Sequence, residues 1–426
     1  MSHAMDWHKD RPTLLSINNY YYRRGGADVV FLEQNRMLRE IGWNVAPFSM
    51  NHQDNLKTEW SKYFVDEIEF GRDYSFREKV INAQKVVYSF EARDKLDKLI
   101  ADVRPSVAHM HNIYHHISPS ILGLLNKRGI PAVMTLHDLK LLCPAYKMLA
   151  HDGVCERCKL GKVHNVVTHK CIKNSRTLST LIFVETVVHR LLRSYEKGIN
   201  RFIVPSRFYL EKMVEWGLER KRFTYLPNFV DCDTYRPNYS PGKSFVYFGR
   251  LSSEKGLQTL IKAAAAARVP LSVIGSGPNE NELKQLSAKL AADVTFHGYQ
   301  TGDALFGLVR DARAIVLPSE WYENAPLSVM ESYACGKPVI GANIGGIPEL
   351  IREAETGAVF ESASVERLTE LLQRFTEMSD TELETMGRNG RSWMKEEFTP
   401  EKYMGRLIRL YQEVGCPTPI AKDVGF

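Results

Sequence analysis

No run in this sequence approaches the roughly 20 consecutive apolar residues that a membrane-spanning helix needs. The most apolar helical stretch, Leu178–Leu192, is interrupted by Glu185, His189 and Arg190, so a bilayer-crossing chain is not expected. Low-complexity tracts and internal repeats of solenoid period are also missing, which removes disordered linkers and repeat arrays. Neither sign of charge dominates: 56 Lys and Arg stand against 50 Asp and Glu, a formal +6, and no nucleic-acid partner is expected from so small an excess. Met1–Asp10 are polar and hold no apolar signal core, so they are set aside and a cytoplasmic location is expected. Cysteine is sparse, 7 residues in 426, and a reducing compartment disfavours disulfides among them.

What is present is the composition of a folded protein, 44% hydrophobic and 25% charged, in a chain too long for one ordinary core. Two domains of about 200 residues each are the natural division. Short β-type apolar runs alternate with helical patterns in both halves, which predicts α/β units around parallel sheets. In the first half Thr13–Ile17 reads as a strand, Gly25–Gly26 as a turn and Ala27–Ile41 as an amphipathic helix, with further strands at Val107–Met110 and Ala132–Leu136. His111 and Asn112 follow one of these strands, and His137 and Asp138 the other, at the edge where doubly wound sheets bind ligands.

Leu226–Lys243, rich in Pro, Asn, Asp and Tyr, reads as an interdomain connection. Beyond it the alternation is regular: strands at Phe245–Phe248, Leu271–Ile274, Val294–Phe296, Ala314–Leu317 and Pro338–Ile340, and helices at Leu257–Ala267, Asn279–Ala291, Gly302–Asp311 and Leu327–Cys335. The predicted fold is two Rossmann-like domains, residues 1–235 and 236–400, facing a central cleft, with residues 401–426 carrying a last helix near Lys402–Val414 that returns to the first domain.

The strongest chemical signal is Glu323-Asn-Ala-Pro-Leu-Ser-Val-Met-Glu331, which follows a strand and opens a helix. Free amides and the positive dipole end at such a helix start suit an anion. Leu327 and Ser328 would give amides to a phosphate, Glu331 would accept ribose hydroxyls, and Glu323 would meet a sugar hydroxyl. In "FGRLSSEKG", Arg250 and Lys255 sit in a Gly-flanked loop after a strand, where two cations can converge on a diphosphate. As bare spacings, two Glu eight apart or an Arg and Lys five apart also fit an ordinary helix start and a surface charge cluster.

The longer segment "PSEWYENAPLSVMESYACGKPVIGANIGGIPELI" resembles the large retaining GT-B family of nucleotide-sugar glycosyltransferases, family four, from the lead-in of its Glu-x7-Glu signature to the Gly-Gly-x-x-Glu turn at Gly345, Gly346 and Glu349. The resemblance runs from about Thr13 to Tyr411. It implies a GT-B fold with an acceptor-side first domain and a nucleotide-sugar-binding second domain. It assigns the donor diphosphate to Arg250 and Lys255. Asn324 and Ala325 join the donor site with Leu327, Ser328 and Glu331; Gly275 in "VIGSGP" supplies a tight turn, and Tyr299 after "FHG" lies near the base. Gly25 and Gly26 allow close approach of backbone to the donor phosphates, with Asp28 as a shortened variant of the family's acidic residue. His137 of "TLHD" resembles the histidine that faces sugar and diphosphate, against the plain alternative of a buried structural histidine. His111 and Asn112 are acceptor-side or cleft-shaping candidates.

No carboxylate is evidently supplied beneath an anomeric carbon, as a covalent intermediate would need. The resemblance implies front-face substitution in which the departing diphosphate takes the acceptor proton, with Arg250, Lys255, His137 and Glu323 as the catalytic set. Uridine, guanosine and adenosine diphosphate sugars all remain open as donors, and a glycan or lipid-linked glycan as acceptor. No catalytic divalent metal is expected: Asp231-Cys-Asp233 spells an Asp-x-Asp but lies in the interdomain connection. Two other readings stand beside transfer, a GT-B sugar-nucleotide epimerase and a non-catalytic nucleotide-sugar-binding protein.

Cys143, Cys155, Cys158 and Cys171 cluster in an insertion near 143–171, with 11, 2 and 12 residues between successive members. That pattern fits a four-thiolate structural zinc site, with His151, His164 or His169 able to replace a ligand, or a redox-sensitive or merely buried thiol cluster. Between Arg157 and Arg222 stand 15 basic and 5 acidic residues, which could face anionic lipid, a phosphate-bearing acceptor or only water. A helix predicted over Thr177–Tyr195 gathers Leu181, Phe183, Val184, Val187, Val188, Leu191 and Leu192 largely on one side, for core packing or peripheral membrane contact.

Overall fold

The computed structural model describes residues 10–68, 75–150 and 152–417. His151 and residues 418–426 of the predicted C-terminal segment lie outside the described residues. The first lobe is built on β1 (Thr13–Ile17), β2 (Asn44–Phe48), β3 (Val107–Met110), β4 (Ala132–Thr135), β7 (Arg201–Val204) and β8 (Phe223–Tyr225), after a small antiparallel pair, β5 (Leu149–Ala150) and β6 (Gly153–Val154), inside the cysteine-bearing insertion. The six strands lie in the order β2-β1-β3-β4-β7-β8 and every pair is parallel. Helices α1 (Gly26–Glu40), α2 (Phe76–Val87), α3 (Phe90–Val103), α4 (Leu122–Lys127), α5 (Asn165–Thr168), α6 (Arg176–Leu191), α7 (Ser194–Gly198) and α8 (Arg207–Glu215) connect them.

The second sheet, β11-β10-β9-β12-β13-β14, is likewise parallel throughout. Its strands are β9 (Phe245–Phe248), β10 (Leu271–Ile274), β11 (Val294–Gly298), β12 (Ala314–Leu317), β13 (Val339–Ala342) and β14 (Gly357–Phe360). Helices α9 (Leu257–Ala267), α10 (Glu280–Lys289), α11 (Gly302–Arg310), α12 (Leu327–Ala334), α13 (Val365–Glu377) and α14 (Asp380–Glu397) complete it, and α15 (Pro400–Glu413) follows. Central strands buried on both faces are near-continuously apolar. TLLSI of β1, AIVL of β12 and VIGA of β13 are all fully buried.

Strand order reverses between β1 and β3 in the first sheet and between β9 and β12 in the second. Those crevices at the carboxyl ends of the strands are where such sheets receive ligands. The loops carrying residues 18–25, 111–121, 249–256 and 318–326 leave from them.

α15 carries the chain back to the first lobe. Tyr403, Leu407, Leu410 and Tyr411 share a buried cluster with Leu14, Leu38 and Val45, and the Tyr403 hydroxyl donates to Gln34 Oε1 at 2.9 Å.

The helix predicted over Thr177–Tyr195 is corrected in two respects. It ends at Leu191, and Arg193, at φ 52, turns the chain into the separate α7. The fully buried side is Ser179, Ile182, Glu185 and His189; of the apolar set read from the sequence Leu181 packs partly buried against Ile68, Val86 and Ile182, Phe183, Val187 and Val188 are half-buried, and Val184, Leu191 and Leu192 are exposed. Polar groups can face inward here because they are paired: Glu185 takes a hydrogen bond from Lys140 at 2.8 Å, and His189 Nε2 meets the Val87 carbonyl at 2.7 Å.

Candidate active site

α1 and α12 begin beside one another. A Cβ placed on Gly26, the first residue of α1, would lie 3.7 Å from the Leu327 side chain, the first residue of α12. Neither start has a side-chain cap: Gly25 has no side chain to offer, and Pro326 caps α12 with none. The first amides of both helices, including those of Leu327 and Ser328, are therefore available to an anion lying between the lobes.

The loops at the second switch point add charge. Lys255 Nζ lies 2.7 Å from Glu323 Oε1, which also accepts from Ser319 Oγ at 2.7 Å. Burial alone would raise the Glu323 pKa, but the Lys255 ammonium and these hydrogen bonds outweigh it and hold the carboxyl below its ordinary value. Lys255 also stands 5.2 Å from the centre of the Trp321 ring. Arg250 is exposed, and among the described residues no ion pair engages its guanidinium.

Glu331 points into a much drier place. Burial pushes its pKa up to about 7, only partly offset by the Tyr235 hydroxyl 3.5 Å away. A carboxylate held this way is short of donors, and two ribose hydroxyls would supply them.

Gly275 takes φ +135, and a Cβ there would fall 1.9 Å from the Gly249 carbonyl oxygen, so only glycine lets these two turns meet. Tyr299, 72% exposed, stands on the rim after β11. Asn324 is engaged by protein on both side-chain atoms: its amide donates to the Leu136 carbonyl at 2.9 Å and its oxygen accepts from Ser206 Oγ at 2.8 Å. It ties the second lobe to the end of β4. Ala325 is buried, with its carbonyl taking Asn228 at 2.9 Å.

On the first lobe, Asp28 takes Asn18 Nδ2 at 2.8 Å, and burial lifts its pKa to about 6. His137 is half-buried, and burial pushes its pKa down to about 4. His111 is fully buried behind it, with Nδ1 2.7 Å from His137 Nε2. Of the two roles expected for His111, acceptor-side or cleft-shaping, a side chain with no exposure fits the second. The Asn112 backbone amide donates to Asn18 Oδ1 at 3.0 Å.

Several contacts were not read from the sequence. Glu349 of the Gly-Gly-x-x-Glu turn accepts from the Arg207 and Phe208 amides at 2.8 and 2.5 Å, so one lobe caps the first turn of α8 in the other. Ser319, four residues before Glu323, was legible only as part of the lead-in. Glu156 in the insertion accepts from Tyr322 and from Lys212, which places the cysteine-bearing loop against the segment that carries Glu323.

Within that insertion Cys143, Cys155, Cys158 and Cys171 line one small cavity of about 10 Å³ together with His169, and all are free thiols. Among the described residues no group of three or more His, Cys, Asp or Glu stands in a metal-holding arrangement. Asp231 caps a short turn by accepting from the Asp233 amide, and Asp233 pairs with Lys395. Both carboxylates thus have local structural partners.

Comparison with known proteins decides the family. The family model described as Glycosyltransferase Family 4 matches residues 24–234, and the one described as Glycosyl transferases group 1 matches residues 236–393. The chain belongs to the group 1 glycosyltransferases of GT-B fold. This glycosyltransferase is 29% identical over 405 residues to an N-acetyl-alpha-D-glucosaminyl L-malate synthase of Bacillus anthracis, covering 92% of this chain and 94% of that one. It is 29% identical over 248 residues to a GDP-mannose-dependent monoacylated alpha-(1-6)-phosphatidylinositol monomannoside mannosyltransferase of Corynebacterium glutamicum, covering 52% of this chain and 64% of that enzyme. Only half the length of a related Mycobacterium tuberculosis mannosyltransferase is matched.

Solved structures show the same fold at low identity. The sucrose-phosphate synthase of Thermosynechococcus elongatus superposes with a TM-score of 0.68 at 19% identity, over 95% of this chain and 99% of that one. Anabaena HepE in complex with UDP and glucose gives 0.65 at 14% identity, over 95% and 100%. Among the described residues no helix of the glycosyltransferase is long and apolar enough to cross a membrane.

The Glu331 environment generates a stability prediction. Burial raises its carboxyl from the ordinary 4.5 to about 7 in the fold, so the folded state binds more protons than the unfolded one between those values and loses stability as pH rises through them. Glu331→Gln removes that loss. In denaturant titrations of the ligand-free protein the variant should exceed wild type in stability at pH 8, and the gap should narrow steadily towards pH 4.5; a gap independent of pH would contradict the assignment.

Proposed function

We propose that this glycosyltransferase moves a sugar, with retention of anomeric configuration, from a nucleotide-diphosphate sugar to a hydroxyl of a glycan or lipid-linked glycan, in the assembly of a surface polysaccharide or glycolipid. The observation that carries the reading is the meeting of two uncapped helix starts, α1 and α12, beside the Lys255–Glu323 pair. Donor amides and side-chain cations at one point suit a diphosphate leaving group. The names of the relatives agree in kind: one is GDP-mannose-dependent, and the Anabaena protein holds UDP and glucose.

In this reading the diphosphate lies between Gly25–Gly26 and Leu327–Ser328, with Arg250 and Lys255 on its oxygens. The bond from the anomeric carbon to the diphosphate breaks, the electron pair leaves with the phosphate, the acceptor oxygen bonds to the same face of that carbon, and the acceptor proton passes to the departing phosphate oxygen. Two protein cations take up the developing charge, so no divalent ion is required. Glu331 receives the ribose, Tyr299 and Gly275 bound the base, and Glu323 and His137 meet the sugar. Arg250→Ala and Lys255→Ala should each lower kcat by about a hundredfold or more with unaltered thermal unfolding. NMR of the product should show the donor's anomeric configuration. Wild-type turnover in both variants, or an inverted product, would sink the proposal, and loss of activity in chelator that magnesium restores would remove its metal-independence.

The insertion is proposed to be tied by zinc through Cys143, Cys155, Cys158 and Cys171. Four thiols on one small cavity in a loop with little core are the support, since a bound cation would draw them together and organise the segment. Metal analysis of protein purified without chelator should find about one zinc per chain, reduced by Cys155→Ser or Cys158→Ser. Absence of zinc from wild type would leave a plain thiol cluster.

Peripheral membrane association is proposed for the face formed by α2 and α6. Val80, Ile81, Val184, Leu191 and Leu192 are exposed there, and Arg190, Arg193 and Lys197 supply cations for an anionic lipid surface. The protein should co-sediment with vesicles containing phosphatidylglycerol and less so after Leu191→Glu; equal recovery with neutral vesicles or with the variant would count against this face.

A further inference from the structure

Three imidazoles run in a stack from the core of the first lobe to the cleft. His109 and His111 have ring centres 4.7 Å apart at 24°, and His111 and His137 are 5.0 Å apart at 20°. Of the three only His137 keeps any exposure, at the carboxyl end of β4; His109 and His111 have none. Burial leaves all three uncharged at neutral pH, with His109 pushed down to about 3, His137 to about 4 and His111 well below its ordinary value. A neutral imidazole has one donor nitrogen and one acceptor nitrogen, so the hydrogen-bond partners decide which is which.

At the inner end the assignment is set by α15 and α1. Gln34 Nε2 lies 3.0 Å and the Tyr411 hydroxyl 2.7 Å from His109 Nδ1. The Gln34 amide is oriented by Tyr403, which donates to its oxygen. His109 Nδ1 therefore accepts, and its Nε2 carries the proton towards Thr135 Oγ1 at 2.8 Å.

At the outer end His111 Nε2 is buried with no hydrogen-bond partner among the described residues. Phe31 stands edge-on to that ring at 5.3 Å. Buried N–H donors left without an acceptor are rare in folded proteins, and buried acceptors left bare are less so. The proton of His111 thus belongs on Nδ1, which faces His137 Nε2 at 2.7 Å. His137 Nε2 must then accept, and its proton must sit on Nδ1.

We infer that His111 is a positioning residue which, through this hydrogen bond, locks His137 as the uncharged tautomer protonated on Nδ1, so that the cleft is presented with a fixed neutral N–H donor. The inference rests on the proposed donor site for its consequence: such a donor suits an oxygen of the transferred sugar or of the leaving diphosphate, and it cannot act as a base towards the acceptor. The hydrogen-bond assignment itself stands independently of the reaction.

The test reads the tautomer directly. In full-length protein labelled with nitrogen-15 in histidine side chains, the two ring nitrogens of His137, assigned by loss of signal in His137→Gln, should show a protonated Nδ1 and a bare Nε2 without ligand. His111→Leu should replace this by a mixture of both tautomers. His111→Asn, whose amide nitrogen overlays Nδ1, should keep the wild-type pattern. In transfer assays His111→Leu should lower kcat about tenfold or more at nearly unchanged donor KM, and His111→Asn should restore most of it. A wild-type His137 protonated on Nε2, or a pattern unmoved in His111→Leu, overturns the inference; if His111→Leu does not fold, the wild-type and His111→Asn spectra still decide it. The locked tautomer together with unchanged kcat in His111→Leu would support the lock and place the failure in the assignment of His137 to the reacting centre.

Discussion

The amides left without partners at the starts of α1 and α12 are the constraint around which the cleft is organised. Most long helices in this chain begin under a serine or threonine side chain, as at Ser75, Ser89, Ser175, Ser206, Ser364, Ser379 and Thr399. Such a cap is typically worth about 1 kcal/mol. α9, α10 and α11 of the second lobe have no such cap either, and α1 and α12, which leave the switch points beside β1 and β12, carry Gly25 and Pro326 in the cap positions. An exposed helix start that keeps its donors free is less stable alone and better suited to an anion.

Holding two such starts together requires the lobes to be registered to hydrogen-bond accuracy, and the residues that do this lie in the same loops as the charged groups. Asn324 follows Glu323 directly and binds both Leu136 and Ser206. Glu349 caps α8 from across the cleft. Lys147 of the insertion lies 3.6 Å from Glu254, next to Lys255. The Asn324 bonds and the Phe208–Glu349 bond are partly buried, where a hydrogen bond is electrostatically stronger than at an open surface. The interlobe surface is consequently continuous with the candidate site, and α15 joins it from behind through Tyr411 and the histidine stack.

Much of the second lobe was legible because its strands are short apolar runs between glycine-marked turns, and a parallel sheet buried on both faces demands that pattern. The positions of Arg250, Lys255, Glu323 and Glu331 were equally legible, since each lies within a few residues of a strand end or helix start. Partners were not legible. Glu185 breaks the hydrophobic run of α6 and reads as a solvent-facing residue until Lys140, 45 residues earlier, is placed against it. His111 and His137 look alike as histidines after a strand, yet one is enclosed and the other faces the cleft. Asn324 reads as part of a ligand loop, and the structure commits both ends of its side chain to the other lobe.

By itself the sequence determined what is local or periodic: the alternation of strand and helix, the division into two lobes, the glycines that only tight turns explain, and the residues brought near each helix start by spacing along the chain. Tertiary structure alone decided which of those residues are buried, which face one another from different lobes, and which nitrogen of a histidine is left to donate. The physical reason is that burial and hydrogen-bond geometry depend on contacts between segments tens to hundreds of residues apart, such as Tyr411 with His109, and no pattern within one segment encodes the partner it will meet.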